Sequence, residues 1–319
     1  MTLHEGLSRK IYYYFYQNRV MRMETHMSFI MRHLIILMAA LAFTGCATVQ
    51  NAVETAAIPD GKVGLSEFAN LDNTSVQSVD HSAFDQFLSK YLVTSQAANP
   101  VTQGANLVRY GDVTEADKLA LIAYINRLQA TPVSSLNRNE QLAFWINLYN
   151  AETLRVIVEN YPVESIRDIK DGTFDVKGPW NDVRLTVEGT ELTLEDIENK
   201  IVRPNFQDAR IHYGLNCAAI GCPNLRGEAY KASTLDAALE AQTQAFINNA
   251  RGVKVVDGKL TVSRIFLWYA DDWGSKDDIL THIRQYASPE LKQDLDGITS
   301  ISKYEYDWSL NDAARVSPP

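Results

Sequence analysis

The chain has 319 residues, 46% of them apolar and 22% charged, a composition typical of a globular protein that can bury a sizeable core. Its formal net charge is −9, and an acidic surface repels phosphate backbones, so nucleic-acid binding is not expected. Because no run of about 20 apolar residues occurs, the sequence predicts no membrane-spanning helix in the mature protein.

Residues 27–45 have the pattern of an export signal. Arg32 and His33 form a short basic region, and the apolar run over 34–43 has the length of a signal-peptide core. Thr44 and Gly45 follow the run and precede Cys46. A lipoprotein signal peptidase requires small residues before the cysteine, whose thiol is alkylated before cleavage. The segment resembles a bacterial lipobox, and it predicts that an acyl chain on Cys46 holds the protein at a membrane.

Two details at this junction affect the predicted lipidation and cellular localisation. Phe43 stands where a lipobox usually has Leu, and a plain secretory signal that leaves a free cysteine is the alternative to lipidation. Ala47 rather than Asp follows Cys46. By resemblance to the usual sorting rule, this favours the cell envelope, on the periplasmic face of the outer membrane.

The rest of the chain divides by composition into four parts. Residues 1–26 fit no part of a signal peptide and are interpreted as a mis-assigned extension, with translation starting at Met27 or Met31. Small and polar residues over 46–80 predict the lipidated cysteine and a flexible tether. A single globular domain is predicted over 81–311, followed by a tail over 312–319.

Helices dominate the first half of this domain. Apolar residues recur at helical spacing over 84–92, and Thr114 can cap a helix that runs to Gln129. A third helix is predicted to be capped by Asn139 and to end before Pro162. Its residues 142–154 are apolar almost all round, as expected of a helix buried at the centre of a domain.

Strands cluster in the second half. Two hairpins are expected, and the second carries Asp257-Gly258 as its turn. The predicted strands cover residues 183–187, 189–192, 209–215, 253–256, 259–262 and 298–308. Because strands and helices do not alternate regularly, the fold class is α+β: a helix-rich single domain with a buried central helix and a small, mostly antiparallel sheet in the second half.

The segment from Arg210 to Arg226 holds the residues best suited to chemistry. His212 and Cys217 are five residues apart, and a histidine near a cysteine can lower the thiol pKa and act as base. With Cys46 lipidated, however, Cys217 and Cys222 are the two remaining cysteines, and an oxidising compartment favours a disulfide between them. A nucleophilic Cys217 and a structural disulfide therefore stay as alternatives.

Two further groups of residues are candidates. Asn147 and Asn150 lie on one face of the predicted central helix, where they orient a catalytic base or pin loops to the core. Polar-tipped aromatics at 268–273 and 304–311 either line a cleft for a sugar or peptide or lie in the core. No known metal-binding or nucleotide-binding motif occurs, so neither a metal nor a cofactor is expected.

Four segments together resemble one family. In order they are FWINLYNA (144–151), HYGLNCAAIGCPNLR (212–226), SRIFLWYADDW (263–273) and YEYDWSLN (304–311), and they are similar to the domain of unknown function family 547. The resemblance covers about residues 81–311 and implies no settled activity. Bacterial relatives are often exported, and plant relatives carry the domain behind coiled coils.

The resemblance singles out individual residues in the second segment. The family's histidine, asparagine and first cysteine fall on His212, Asn216 and Cys217, and its second cysteine falls on Cys222. Gly221 stands where the family usually has serine, which puts in doubt any role proposed for that serine.

Two functions remain open from the sequence. In the first, an envelope lipoprotein is a thiol-dependent hydrolase or acyl transferase for peptide-like bonds. Cys217 is then the nucleophile, His212 the base, and Asn216 or Asn147 the orienting group or oxyanion donor. In the second, a non-catalytic lipoprotein binds an envelope protein, peptide or glycan, and Cys217–Cys222 is a structural disulfide. The sequence does not choose between enzyme and binding protein.

Overall fold

The computed structural model describes residues 64–94, 102, 104–169 and 178–315. All of them lie in one compact unit of the chain, Pro59–Pro319. The predicted signal peptide and Cys46 lie outside the described residues, as do residues 1–26. Among the described residues, no helix combines the length and the apolar character needed to cross a membrane.

Helices are the main elements of this unit. In chain order the α-helices are α1 (Ser82–Tyr91), α2 (Glu115–Gln129), α3 (Arg138–Asn160), α4 (Arg203–Phe206), α5 (Leu235–Ile247), α6 (Ile265–Trp268), α7 (Lys276–Tyr286) and α8 (Pro289–Asp294). A π-helical segment, Asp196–Val202, runs directly into α4. A π-helix of this length is uncommon, and π-helical segments are frequently found at functional sites.

The strands are short and form three small sheets. They are β1 (Leu92–Val93), β2 (Leu107–Val108), β3 (Leu185–Val187), β4 (Thr190–Leu192), β5 (Val253–Val256), β6 (Lys259–Ser263) and β7 (Ile301–Glu305). The pairs β1–β2, β3–β4 and β5–β6 are antiparallel, whereas β7 lies parallel to β6. Both predicted hairpins are present, and the predicted α+β class is confirmed.

The central helix α3 organises the core. Its residues 140–154 are all buried, so other elements surround it, as its apolar sequence predicts. The cap is Asn137, whose side chain accepts a hydrogen bond from the Glu140 backbone N–H at 3.1 Å. The prediction of Asn139 as cap was therefore two residues late. By contrast, Thr114 caps α2 as predicted, by accepting from the Asp117 N–H.

Residues 209–215 are not a strand, so that prediction was wrong. Ala209–Tyr213 form a 3₁₀-helix, and the Asp208 side chain accepts the Arg210 N–H at its start. A strand on a one-sided sheet buries every second side chain, but Ile211, His212 and Tyr213 are all buried. The alternation of apolar and polar residues in this segment therefore does not mark one buried and one exposed face of a sheet.

The last residues of the predicted tether contact the domain. Phe68 is buried and packs edge-on against Trp145 of α3, with ring centroids 5.1 Å apart. The Asn70 carbonyl accepts from Gln141, and the Val79 N–H donates to Glu140. Residues 64–80 therefore begin the folded unit.

Candidate functional site

The predicted site segment is held against α3 by two buried amides. Asn150 donates from Nδ2 to the Gly214 carbonyl at 2.9 Å, and its Oδ1 accepts the Asn216 N–H at 2.8 Å. Asn147 forms the same two-way pair with the backbone of Tyr230, at 2.7 and 2.8 Å. Each amide side chain therefore supplies hydrogen-bond partners to two backbone groups of a loop that would otherwise be buried without a partner.

Cys217 and Cys222 form a disulfide, with Cα atoms 6.3 Å apart. Cys222 is buried, whereas Cys217 is half-buried. The turn between them is held by Asn216, whose Oδ1 accepts from the Ala218 N–H at 2.9 Å and whose Nδ2 donates to the Pro223 carbonyl. Of the two alternatives for these cysteines, the oxidised one is present in the structure.

Tyr306 contacts both sulfurs. Its hydroxyl lies 2.9 Å from Cys217 Sγ and 3.0 Å from Cys222 Sγ. The backbone of Gly221 packs closely against the residue after Tyr306, and its N–H donates to the Asp307 carbonyl at 2.8 Å. A Cβ at Gly221 would lie 2.7 Å from the Asp307 nitrogen, a distance that real side chains do not tolerate. The glycine where serine was expected therefore has a packing reason.

His212 bonds away from the disulfide. Its Nε2 lies 2.7 Å from Asp272 Oδ2, and its ring stacks on Tyr269 with centroids 4.2 Å apart. Asn147 is likewise engaged by Tyr230 rather than by either cysteine. Among the predicted site residues, the structure brings together Cys217, Cys222 and Asn216, and the hydrogen bonds of His212 and Asn147 lead elsewhere.

His212 instead belongs to a buried group that we call the polar centre, formed by Glu198, Arg203, His212 and Asp272. Arg203 holds Asp272 with two hydrogen bonds, at 2.6 and 3.0 Å. Glu198 Oε1 lies 3.9 Å from His212 Nδ1, and the hydroxyl of Tyr149 on α3 donates to Glu198 Oε2 at 3.0 Å. A histidine thus lies between two carboxylates at the π-helical segment.

The charges in the polar centre are mutually stabilised. Burial alone would raise the pKa of Asp272, but hydrogen bonds from His212 and Arg203 outweigh it and lower that pKa to about 2. Asp272 is therefore ionised over the whole physiological range. It compensates the guanidinium of Arg203, which is itself buried.

Sequence reasoning missed most of the polar centre. Asp272 lies in the predicted aromatic segment, but no sequence pattern points to Glu198 or Arg203. The separation between Arg203 and its partner Asp272 is 69 residues, so no local motif contains both. The one available indication was Thr193, which caps the following helix by accepting from the Asp196 N–H at 3.0 Å. That cap predicts a helix here, but not its π-helical geometry.

Four half-buried rings form an aromatic cluster, which comprises Trp180, Trp268, Tyr306 and Trp308. Trp268 lies 4.8 Å from Tyr306 and 5.5 Å from Trp308, and Tyr306 lies 4.7 Å from Trp308. Trp180 meets Trp308 edge-on at 5.7 Å. Three separate stretches of the chain supply these rings, so the tertiary fold assembles the cluster directly beside the disulfide.

Charged groups border the cluster. The guanidinium of Arg167 lies 4.9 Å from the ring centroid of Trp308, a cation–π distance. On the disulfide side, Arg251 is buried, and its Nη1 donates to the carbonyls of Ile220 and Cys222.

Among the described residues, no group of three or more His, Cys, Asp or Glu side chains is arranged to hold a metal ion.

These features define an α+β domain with a disulfide-closed turn beside an aromatic cluster and a buried polar centre. Residues 133–247 match the family model described as "Protein of unknown function, DUF547". The predicted resemblance to this family is confirmed over those residues, which include the first two of the four segments that carry it. No curated protein matches the chain, and neither does any solved structure.

Proposed function

We propose that this chain is a lipid-anchored protein of the cell envelope that binds cell-wall glycan through the aromatic cluster. The observation that carries the proposal is the half-buried state of Trp180, Trp268, Tyr306 and Trp308. By contrast, Trp145 of the central helix is fully enclosed, at 0% exposure. Four adjoining rings that keep part of their surface in water are instead typical of a ligand site.

The chemistry of a sugar ring suits this cluster. The C–H faces of a pyranose are apolar and stack on aromatic rings, while the hydroxyls at its edge need hydrogen-bonding partners. Arg167 lies against Trp308 at the edge of the cluster and is suited to the polar part of such a ligand. The predicted envelope address would place this surface next to glycan.

Thiol-dependent hydrolysis is the other function predicted from the sequence. It needs a free Cys217 thiolate and a base beside it. The disulfide occupies Cys217, and His212 Nε2 is hydrogen-bonded to Asp272. Among the described residues, neither a free thiolate nor an adjacent base is therefore present at Cys217, and the hydrolase stays a prediction from the sequence.

The aromatic cluster is tested by co-sedimentation of the full chain, purified in detergent, with isolated peptidoglycan sacculi. We expect Trp308→Ala to weaken binding at least about tenfold, because truncating a tryptophan hot spot costs about 2 kcal/mol or more and about 1.4 kcal/mol is tenfold. Tyr286→Ala removes a half-buried ring outside the cluster and serves as the matched control. Equal retention of the wild type and Trp308→Ala, with the control unchanged, would show that the aromatic cluster does not bind peptidoglycan.

The anchor is tested in cells with a clickable fatty acid. We expect the wild type to incorporate the label and to fractionate with membranes, and Cys46→Ala to lose both properties. Cys217→Ser is the matched control and should keep the label, because Cys217 lies in the folded unit and not at the predicted cleavage site. Label on Cys46→Ala, or none on the wild type, would contradict lipidation at Cys46.

A further inference from the structure

We propose that the Cys217–Cys222 disulfide is redox-active: an external thiol attacks the sulfur of Cys217, and Cys222 leaves as a thiolate. The exchange shares Tyr306 with the aromatic cluster but needs no bound glycan, so it goes beyond the proposed function. Three observations carry it, namely the unequal exposure of the two cysteine residues, the donors that converge on Cys222, and the buried charge of Arg251.

The difference in exposure selects the attacked sulfur. Cys217 is half-buried, whereas Cys222 is only 3% exposed. Thiol–disulfide exchange requires in-line approach of a thiolate to one sulfur, and access decides which sulfur reacts. Cys217 is the more exposed of the two residues, and we infer that its sulfur is the one attacked.

The leaving sulfur already has two hydrogen-bond partners in place. The Cys217 N–H donates to Cys222 Sγ at 3.0 Å, and the Tyr306 hydroxyl lies 3.0 Å from the same atom. A disulfide sulfur is a weak acceptor, but a thiolate is a charged and strong one. Both groups would therefore stabilise the reduced state more than the oxidised state, without any rearrangement of the backbone.

A buried positive charge acts in the same direction. Arg251 donates to the carbonyls of Ile220 and Cys222 and to the amide oxygens of Asn224 and Asn249. All these acceptors are neutral, so within the described contacts no carboxylate compensates the guanidinium. Burial lowers the pKa of Arg251 to about 10, which still leaves it charged at pH 7. A thiolate on Cys222 would supply the missing negative charge.

The exchange balances in two steps. In the first, the thiolate RS⁻ forms a bond to Cys217 Sγ, the Cys217–Cys222 bond breaks, and its electron pair goes to Cys222. In the second, another RS⁻ attacks the R sulfur of this mixed disulfide and releases the Cys217 thiolate. Two thiols RSH are thereby oxidised to RSSR; one of their two protons passes to the Cys217 sulfur and the other to solvent, so that Cys222 stays a thiolate.

The test incubates the folded full chain with reduced and oxidised glutathione at pH 7, followed by acid quenching, alkylation and intact-mass measurement. We expect reduction without denaturant, and accumulation of a glutathione adduct on Cys217 in the Cys222→Ser variant but not on Cys222 in Cys217→Ser. A disulfide that is reduced only after unfolding, or adducts that form equally on both variants, would overturn the proposal.

Tyr306→Phe tests the stabilising donor. This variant keeps the ring but removes the hydroxyl, so we expect reduction to be about tenfold slower and the equilibrium to shift about tenfold towards the disulfide. Tyr304→Phe is the matched control, since Tyr304 is a half-buried tyrosine two residues away on β7. If Tyr306→Phe and Tyr304→Phe behave alike, the hydroxyl has no part in the exchange and the proposal fails.

Discussion

We expect the domain to lose about 3 kcal/mol of unfolding free energy between pH 6.5 and pH 4 through one residue, His81. Its side chain is buried where α1 begins, and Nδ1 lies 2.6 Å from the hydroxyl of Tyr124. Its Nε2 has no partner among the described residues. Burial lowers the pKa of His81 from 6.5 to about 4.

The sign of the effect follows from the two pKa values. Above pH 6.5, His81 is neutral in both the folded and the unfolded chain, and its contribution to stability is complete. Between pH 6.5 and 4 the unfolded chain binds a proton that the folded chain does not, so stability falls as the pH falls. Below pH 4 both states are protonated, and this contribution levels off.

The measurement is urea unfolding of the wild type and of His81→Gln at a series of pH values. Glutamine keeps a hydrogen-bonding group for Tyr124 but does not titrate, so we expect its stability to fall about 3 kcal/mol less across this window. His282→Gln provides the comparison. Burial also lowers the pKa of His282 from 6.5 to about 4, so the same linkage applies and its effect should be of similar size. Parallel curves for His81→Gln and the wild type would contradict this account.

The Asn150→Asp substitution is expected to destabilise the folded state by about 3 kcal/mol. The change is nearly isosteric, but it replaces the Nδ2 donor that binds the Gly214 carbonyl with a second acceptor. Asn150 is buried at 2% exposure. The aspartate would therefore either place a charge beside a carbonyl oxygen or take up a proton at a cost in free energy.

This prediction is checked by denaturant unfolding at pH 7. Asn160→Asp, in the exposed last turn of the same helix, is the matched control, and we expect it to cost less than about 1 kcal/mol. Because Asn150 holds residues 214–216 next to Cys217, its loss should also raise hydrogen exchange at Asn216. A cost at Asn150 no larger than that at Asn160 would show that the amide does not pin this segment.

The parts of the fold that could be predicted are those encoded locally. Asp257 and Gly258 both adopt positive φ, at 50° and 69°, as a two-residue hairpin turn requires. Thr114 is a cap because its own side chain reaches the backbone three residues on. The buried central helix was visible in its all-round apolar sequence. In each case, residues close in sequence determine the outcome.

The parts that could not be predicted depend on distant partners. The pattern of residues 209–215 fits a strand, but capping by Asp208 and packing on all sides produce a 3₁₀-helix. His212 was paired with Cys217 because five residues separate them, whereas its partner Asp272 lies 60 residues away. Arg203 and Glu198 belong to the same centre for equally nonlocal reasons. The spacing of residues along the chain therefore identified the segment around His212 and Cys217, but it did not identify the side chains that His212 contacts.

Calorimetric titration of the full chain with peptide-free glycan strands tests most directly whether the aromatic cluster binds glycan. We predict saturable binding that Trp308→Ala weakens at least about tenfold and that Tyr286→Ala leaves unchanged. Binding that appears only with intact, peptide-bearing fragments would assign the cluster to a peptide. Absence of binding by the wild type, or equal binding by Trp308→Ala, would contradict the claim.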